Sequence, residues 1–168
     1  MKNLKSLLFV LLIICFFSCS DDGNEDATLP EEPAFSATLN GATFSNFQSE
    51  LATVSAESVG ANLTITVTDK EMNLFRFFIS DISDLDSGSV IEIGDINSEG
   101  QFTNVTIRDQ ANQVTYNAIS GEITITNSRI DSSDEDINLV DGFFELILNN
   151  GTSSETVTAN GVFENISF

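Results

Sequence analysis

Residues 63–69 read LTITVTD, with Leu63, Ile65 and Val67 alternating with Thr64, Thr66 and Thr68. Strict period two puts the apolar residues on one side of an extended chain and the hydroxyls on the other, the pattern of a half-buried strand. The same alternation continues outward in both directions. Phe35, Ala37 and Leu39 lead to Asn40-Gly41 and then to Ala42 and Phe44, and Asn149-Asn150-Gly151 separates Phe144–Leu148 from a strand containing Val157. An Asn-Gly pair between alternating runs is a strong hairpin signal, because both central residues of that turn need positive φ. Further strands are predicted at 51–58, 73–80, 89–94, 102–108, 113–119, 121–128 and 156–168, joined by short or acidic loops at 69–72, 81–88, 95–100, 109–112 and 129–137.

No segment carries a 3.6-residue stripe. About ten short strands joined by tight turns predict an all-β, antiparallel, meander-connected domain over 34–168. The expected form is a β-sandwich of two sheets packed face to face, with an up-and-down, lipocalin-like barrel as the alternative. The Cys–Trp–Cys marks of an immunoglobulin domain are absent. Val162, Ile166 and Phe168 keep apolar character to the last residues, which predicts a paired C-terminal strand. Phe75, Phe77, Phe143 and Phe144 lie in strongly apolar stretches and are expected in the core.

The N-terminal segment has a different grammar. Lys2 and Lys5 precede an apolar run from Leu7 to Phe17, 11 residues long. A membrane-spanning helix needs roughly 20 such residues, so the run has the length of a signal-peptide core. Cys15 lies inside it, whereas Cys19 follows Ser18 and precedes Ser20-Asp21-Asp22. Phe16-Phe17-Ser18-Cys19 resembles the lipobox of bacterial lipoproteins, with Phe16 where an aliphatic residue usually stands. SDDGNED after Cys19 resembles the export signal of Bacteroidota-type surface lipoproteins. The resemblance implies a signal peptide over 1–18 and lipidation at Cys19. It also implies anchoring in the outer membrane, facing the cell exterior. One acyl chain holds a protein only marginally and stable anchoring takes two or more, so the diacylglyceryl cysteine of that class would suffice without a transmembrane helix. Lipidation would consume the one thiol left after cleavage, leaving no intrachain disulfide.

Residues 20–33 hold six acids and two prolines and no apolar periodicity, which predicts an extended, self-repelling linker. Its 14 residues would reach roughly 45–50 Å when stretched. With the leader set aside, four cations (Lys70, Arg76, Arg108 and Arg129) face 26 acidic residues. Such a field repels nucleic acid and anionic membrane surfaces, and neither is expected as a direct partner.

Blocks of the domain resemble a further group. FSATLNGATFSNF (35–47), LTITVTD (63–69), YNAISGEITITN (116–127), GFFELILNN (142–150) and TANGVFENISF (158–168) are similar to successive blocks of a lipoprotein family that has no assigned activity. Relatives often carry Trp after the first Asn-Gly, where this chain has Phe44. The resemblance implies an acyl-anchored all-β domain and transfers no catalytic residue.

The chain contains no histidine, which excludes Ser-His-Asp and Cys-His catalysis and His-ligated zinc or copper. No Gly-rich phosphate cradle follows a strand and opens a helix. Carboxylates remain. Asp81, Asp84 and Asp86 share one loop, and Asp131, Asp134, Glu135 and Asp136 another. Ca²⁺ takes six to eight oxygens from such loops, yet neither fits EF-hand spacing, and solvated acidic hairpin loops are the expected reading, with Ca²⁺ the alternative. A two-carboxylate hydrolase is expected still less, because the chain offers no Trp and only Tyr116 as stacking platforms. Arg76, between Phe75 and Phe77, is expected to pair across strands with an Asp or Glu, with binding of an anionic group as the alternative. The sequence therefore predicts a non-enzymatic surface lipoprotein, an interaction module for an envelope protein. Its alternative is a binder of glycans or small apolar molecules.

Overall fold

The computed structural model describes residues 32–81, 85–94, 96, 100, 102–152 and 156–168, and for 50–54 the course of the backbone alone. The leader, Cys19, most of the linker and Asp84 lie outside the described residues. Among the described residues nine strands follow in order: β1 Ala34–Asn40, β2 Asn46–Val59, β3 Asn62–Asp69, β4 Leu74–Ile79, β5 Val90–Glu92, β6 Thr103–Asp109, β7 Val114–Ile130, β8 Asn138–Asn149 and β9 Val157–Ser167. No helix occurs among the described residues. Period-two burial runs through the strands, and LTITVTD forms β3 with Leu63, Ile65 and Val67 inside.

All pairings are antiparallel, and they close. β1 pairs with β2 on one side and with β9 on the other, while β7 pairs with both β6 and β8. Eight strands thus form an up-and-down barrel, and the expected sandwich is corrected to its alternative. Alternation is the same in a sandwich and a barrel. The difference rests on the seven-rung ladder from Ala34↔Glu164 to Asn40↔Thr158, which leaves no edge on the first or last strand. β6 covers only the start of β7, and β5 takes the place beside β7 farther along, at Val90↔Thr124 to Glu92↔Glu122.

Three turn expectations changed. Asn40-Gly41 opens a five-residue loop rather than a two-residue turn: β2 begins only at Asn46, and the Leu39 amide donates to the Ser45 carbonyl at 2.8 Å. The two strands expected at 113–119 and 121–128 are one, β7, whose register against β8 shifts between Ala118 and Ser120. Gly121 has φ +133°, and a Cβ there would stand 2.2 Å from the Glu145 carbonyl oxygen. Asn149-Asn150-Gly151 stands where β8 gives way, but like Asn40-Gly41 it opens a connection longer than two residues, since β9 begins only at Val157; the C-terminal strand is paired on both sides.

Eight strands enclose an interior just wide enough for side chains to fill. Here Phe35, Phe47, Phe75, Phe77 and Phe144 fill it, with ring centroids 5.0–5.8 Å apart. The internal gap between Phe35, Phe77, Leu85, Ile123, Val140 and Phe163 measures about 10 Å³, the space of one water. Phe143, expected inside, faces outward and is 38% exposed, because its neighbour Phe144 takes the inward position.

The two G-x-F stretches of β8 and β9 interlock. Gly142 lies opposite Phe163, and Phe144 opposite Gly161. A Cβ on Gly142 would meet the Phe163 ring at 2.4 Å, and one on Gly161 would meet the Phe144 ring at 2.4 Å and the Ser36 carbonyl oxygen at 2.5 Å. Each ring covers the bare backbone of its cross-strand glycine, a pairing that lets a sheet bend sharply without leaving a void.

Candidate binding face

The outward positions of β3, β4 and β6 are Thr64, Thr66 and Thr68, then Leu74, Arg76 and Phe78, then Asn104, Thr106 and Arg108. No carboxylate stands among them. Register sets the neighbours of Arg76: Thr66 lies opposite on β3 and Thr106 on β6. The expected acidic cross-strand partner is therefore replaced by two threonines, and among the described residues Arg76 has no hydrogen bond or ion pair. Arg108 occupies the diagonal position on β6, opposite Leu74. Its guanidinium donates to Thr115 Oγ1 at 2.7 Å and to Gln113 Oε1 at 2.6 Å, both neutral. The other two cations of the domain are matched: Lys70 lies 3.5 Å from Glu71, and Arg129 donates to Asp141 at 2.7 Å.

Beside Arg76 lies an aromatic platform. The rings of Phe78 and Phe102 are 5.1 Å apart and inclined at 31°, with Phe102 43% exposed. Phe102 is fixed through its backbone, since its amide donates to Ser80 Oγ at 2.6 Å and its carbonyl accepts from the Ser80 amide at 3.2 Å. Arg76, Phe78, Phe102, Asn104 and Thr106 line an open depression of about 260 Å³. A larger hollow of about 640 Å³ runs between residues 44–49 and 69–73, but its cation, Lys70, is already paired.

The acids of this wall point inward at its far end and build turns. Asp69 is buried, and its two oxygens accept from the Asn73 amide at 2.8 Å and the Asn73 side chain at 2.9 Å. Asp109 repeats the device with the Asn112 amide at 2.9 Å and side chain at 2.8 Å, and it also accepts the Thr43 hydroxyl. Asn73 Oδ1 accepts from the Gln110 amide at 3.1 Å, tying the two hairpins together. Burial alone would raise the Asp109 pKa. The hydrogen bonds from Asn112, Thr43 and the Ala111 amide outweigh it and hold the carboxyl below its ordinary value.

The loop aspartates proposed from the sequence are spread rather than gathered. Asp81 is half-buried with an interaction of its own, and Asp86 is exposed, its carbonyl accepting from the Ser89 amide at 3.0 Å. Asp131 accepts from the hydroxyl and the amide of Ser133, each at 2.6 Å, and these bonds lower its pKa. Asp134 accepts from the Asp136 amide at 3.0 Å. Among the described residues no three acids converge as metal ligands. Sequence reading offered Arg76 as an anion binder only in second place and missed the face around it, because its signal is an absence: acids missing from every second position of three strands that become neighbours only once register is known.

No family model matches the chain, and no curated protein or solved structure matches it.

Proposed function

We propose that this chain is a lipid-anchored, non-enzymatic binding domain of the outer cell surface that works through the outside of its barrel. The observation that carries this reading is the filled interior. With five phenylalanines packed against one another and a residual gap of about 10 Å³, an apolar guest has no room inside. Binding must then use walls or loop ends, as it does for surfaces that recognise proteins or polymers. The absence of histidine removes the usual acid–base and nucleophile partners. β1 starts and β9 finishes at one end of the barrel, so a tether running from Cys19 into β1 would leave the hairpins at 41–45, 70–73 and 110–113 pointing away from the membrane.

The partner is an envelope protein or an envelope glycan. The glycan reading draws support from the aromatic platform beside Arg76. Crosslinking of the tagged, lipidated protein in its native membrane, followed by pull-down, tests the first. One dominant co-purifying protein is the expected result for a protein partner. Recovery of the bare lipoprotein excludes that partner and leaves the glycan. Failure of Cys19→Ala to release the protein from the membrane fraction would refute the anchor.

A further inference from the structure

We infer that the wall of β3, β4 and β6 is a docking face for an anionic polysaccharide, a chain of sugars bearing carboxylates, with Arg76 as the residue that recognises the acid. The inference rests on the reading that the outer wall does the binding, and it names the class of ligand.

Charge complementarity carries the choice. In a domain with 26 acidic residues, Arg76 stands outward on a face without carboxylates, without a protein partner among the described residues, and diagonal to Arg108. A guanidinium presents a planar fork of donors that matches a carboxylate with two parallel hydrogen bonds. Carboxylates elsewhere on the chain would repel the polymer at long range. The same field opposes nucleic acid; it falls to about a third over each 8 Å at physiological ionic strength, so a polymer with one carboxylate per sugar, less densely charged than a nucleic acid, binds only by meeting the acid-free patch itself. Glu57, the acid nearest in register, faces Thr64 and so lies two strands from Phe78, about 10 Å at the usual strand spacing.

The rest of the depression selects a sugar over an acidic peptide. A pyranose ring offers an apolar face of C–H groups edged by hydroxyls. Phe78 and Phe102 provide a half-exposed aromatic surface for that face, and Asn104 and Thr106 provide amide and hydroxyl partners at its edge. The hollow, about 260 Å³, falls just below the roughly 300–1,000 Å³ of pockets that enclose a whole small ligand. It suits one unit of a polymer that continues along β6 toward Arg108, where the β7 neighbours Asn117 and Thr115 are neutral.

The test titrates the full lipidated protein in detergent, at physiological salt, with polygalacturonate and with its methyl ester. The two polymers share a backbone and differ in charge. Saturable binding of the acid form, about tenfold tighter than the ester, is expected. Arg76→Ala should weaken it about tenfold and Arg76→Lys should recover only part, both with melting temperatures unchanged, and Phe102→Ala should weaken it severalfold with a small loss of stability from its contact with Phe78. Equal affinity for acid and ester, indifference to Arg76→Ala, or no saturable binding would overturn the assignment. So would an acidic protein held at this face that polygalacturonate cannot displace. If the polymer fails while crosslinking still recovers a partner, the binding-domain reading stands and this inference alone falls.

Discussion

On the wall of β3, β4 and β6, Asp69 and Asp109 point inward and are each clasped by an asparagine three or four residues on. On the wall of β5, β7 and β8, Glu92 faces Glu122 and Glu122 faces Glu145, three exposed glutamates in a row across adjacent strands. The two walls share one backbone pattern and place their negative charge oppositely. An inward carboxylate must have every lone pair met, because an unmet buried charge is prohibitive. An outward one needs only water, and like charges across exposed strands cost at most about 1 kcal/mol. Outward acids are therefore tolerated wherever no ligand needs the space. Their absence from the Arg76 wall leaves two cations facing outward with no acid beside them.

The largest break should come where β9 interlocks with the acidic wall through Phe144 of β8. Gly161→Ala drives a Cβ into the Phe144 ring and the Ser36 carbonyl. It should cost about 2–3 kcal/mol in urea unfolding, near the top of the range for overpacking. Gly60→Ala, at φ +65° with nothing within 4 Å, should cost only about 1 kcal/mol, the penalty of the left-handed conformation. Equal losses would mean that the interlocked phenylalanines carry no special load.

Next in size is Asp109→Ala, which leaves Asn112 and Thr43 without their acceptor. About 1–3 kcal/mol should be lost at neutral pH. The folded pKa of Asp109 is lowered, so its stabilisation is fully present above the unfolded value, about 3.9, and disappears as pH falls through the folded value. The gap between parent and variant should accordingly narrow below about pH 4, and a gap constant to pH 2 would refute this account. Glu122→Gln should act in the opposite direction. Relief of repulsion from Glu92 and Glu145 should raise stability by a few tenths of a kcal/mol at low salt, an effect that vanishes in high salt. Smallest of all, Arg76→Ala should change stability by less than about 0.5 kcal/mol, since the side chain holds nothing in place.

What could be read in advance follows the range of the interactions. The alternation in 63–69 specifies a strand and its buried side without help from elsewhere, and the structure agrees residue by residue. Asn149-Asn150-Gly151 marked a true reversal, because Gly151 supplies positive φ locally. The break expected between 119 and 121 does not exist, and Gly121 beside it serves the approach of the Glu145 carbonyl from another strand. Sandwich and barrel could not be separated by pattern, since closure depends on Phe35 finding Phe163. The Arg76 face was hidden for the same reason. Only register shows that its neighbours are Thr66 and Thr106 rather than an acid.

The ladder between β1 and β9 bears also on when this domain can fold. The first strand made must wait for the last before either has both neighbours, so a nascent or partly translocated chain cannot complete the barrel. Contacts so distant in sequence slow folding and delay it until synthesis is nearly finished. If the chain is exported as proposed, that delay would keep it extended during transit.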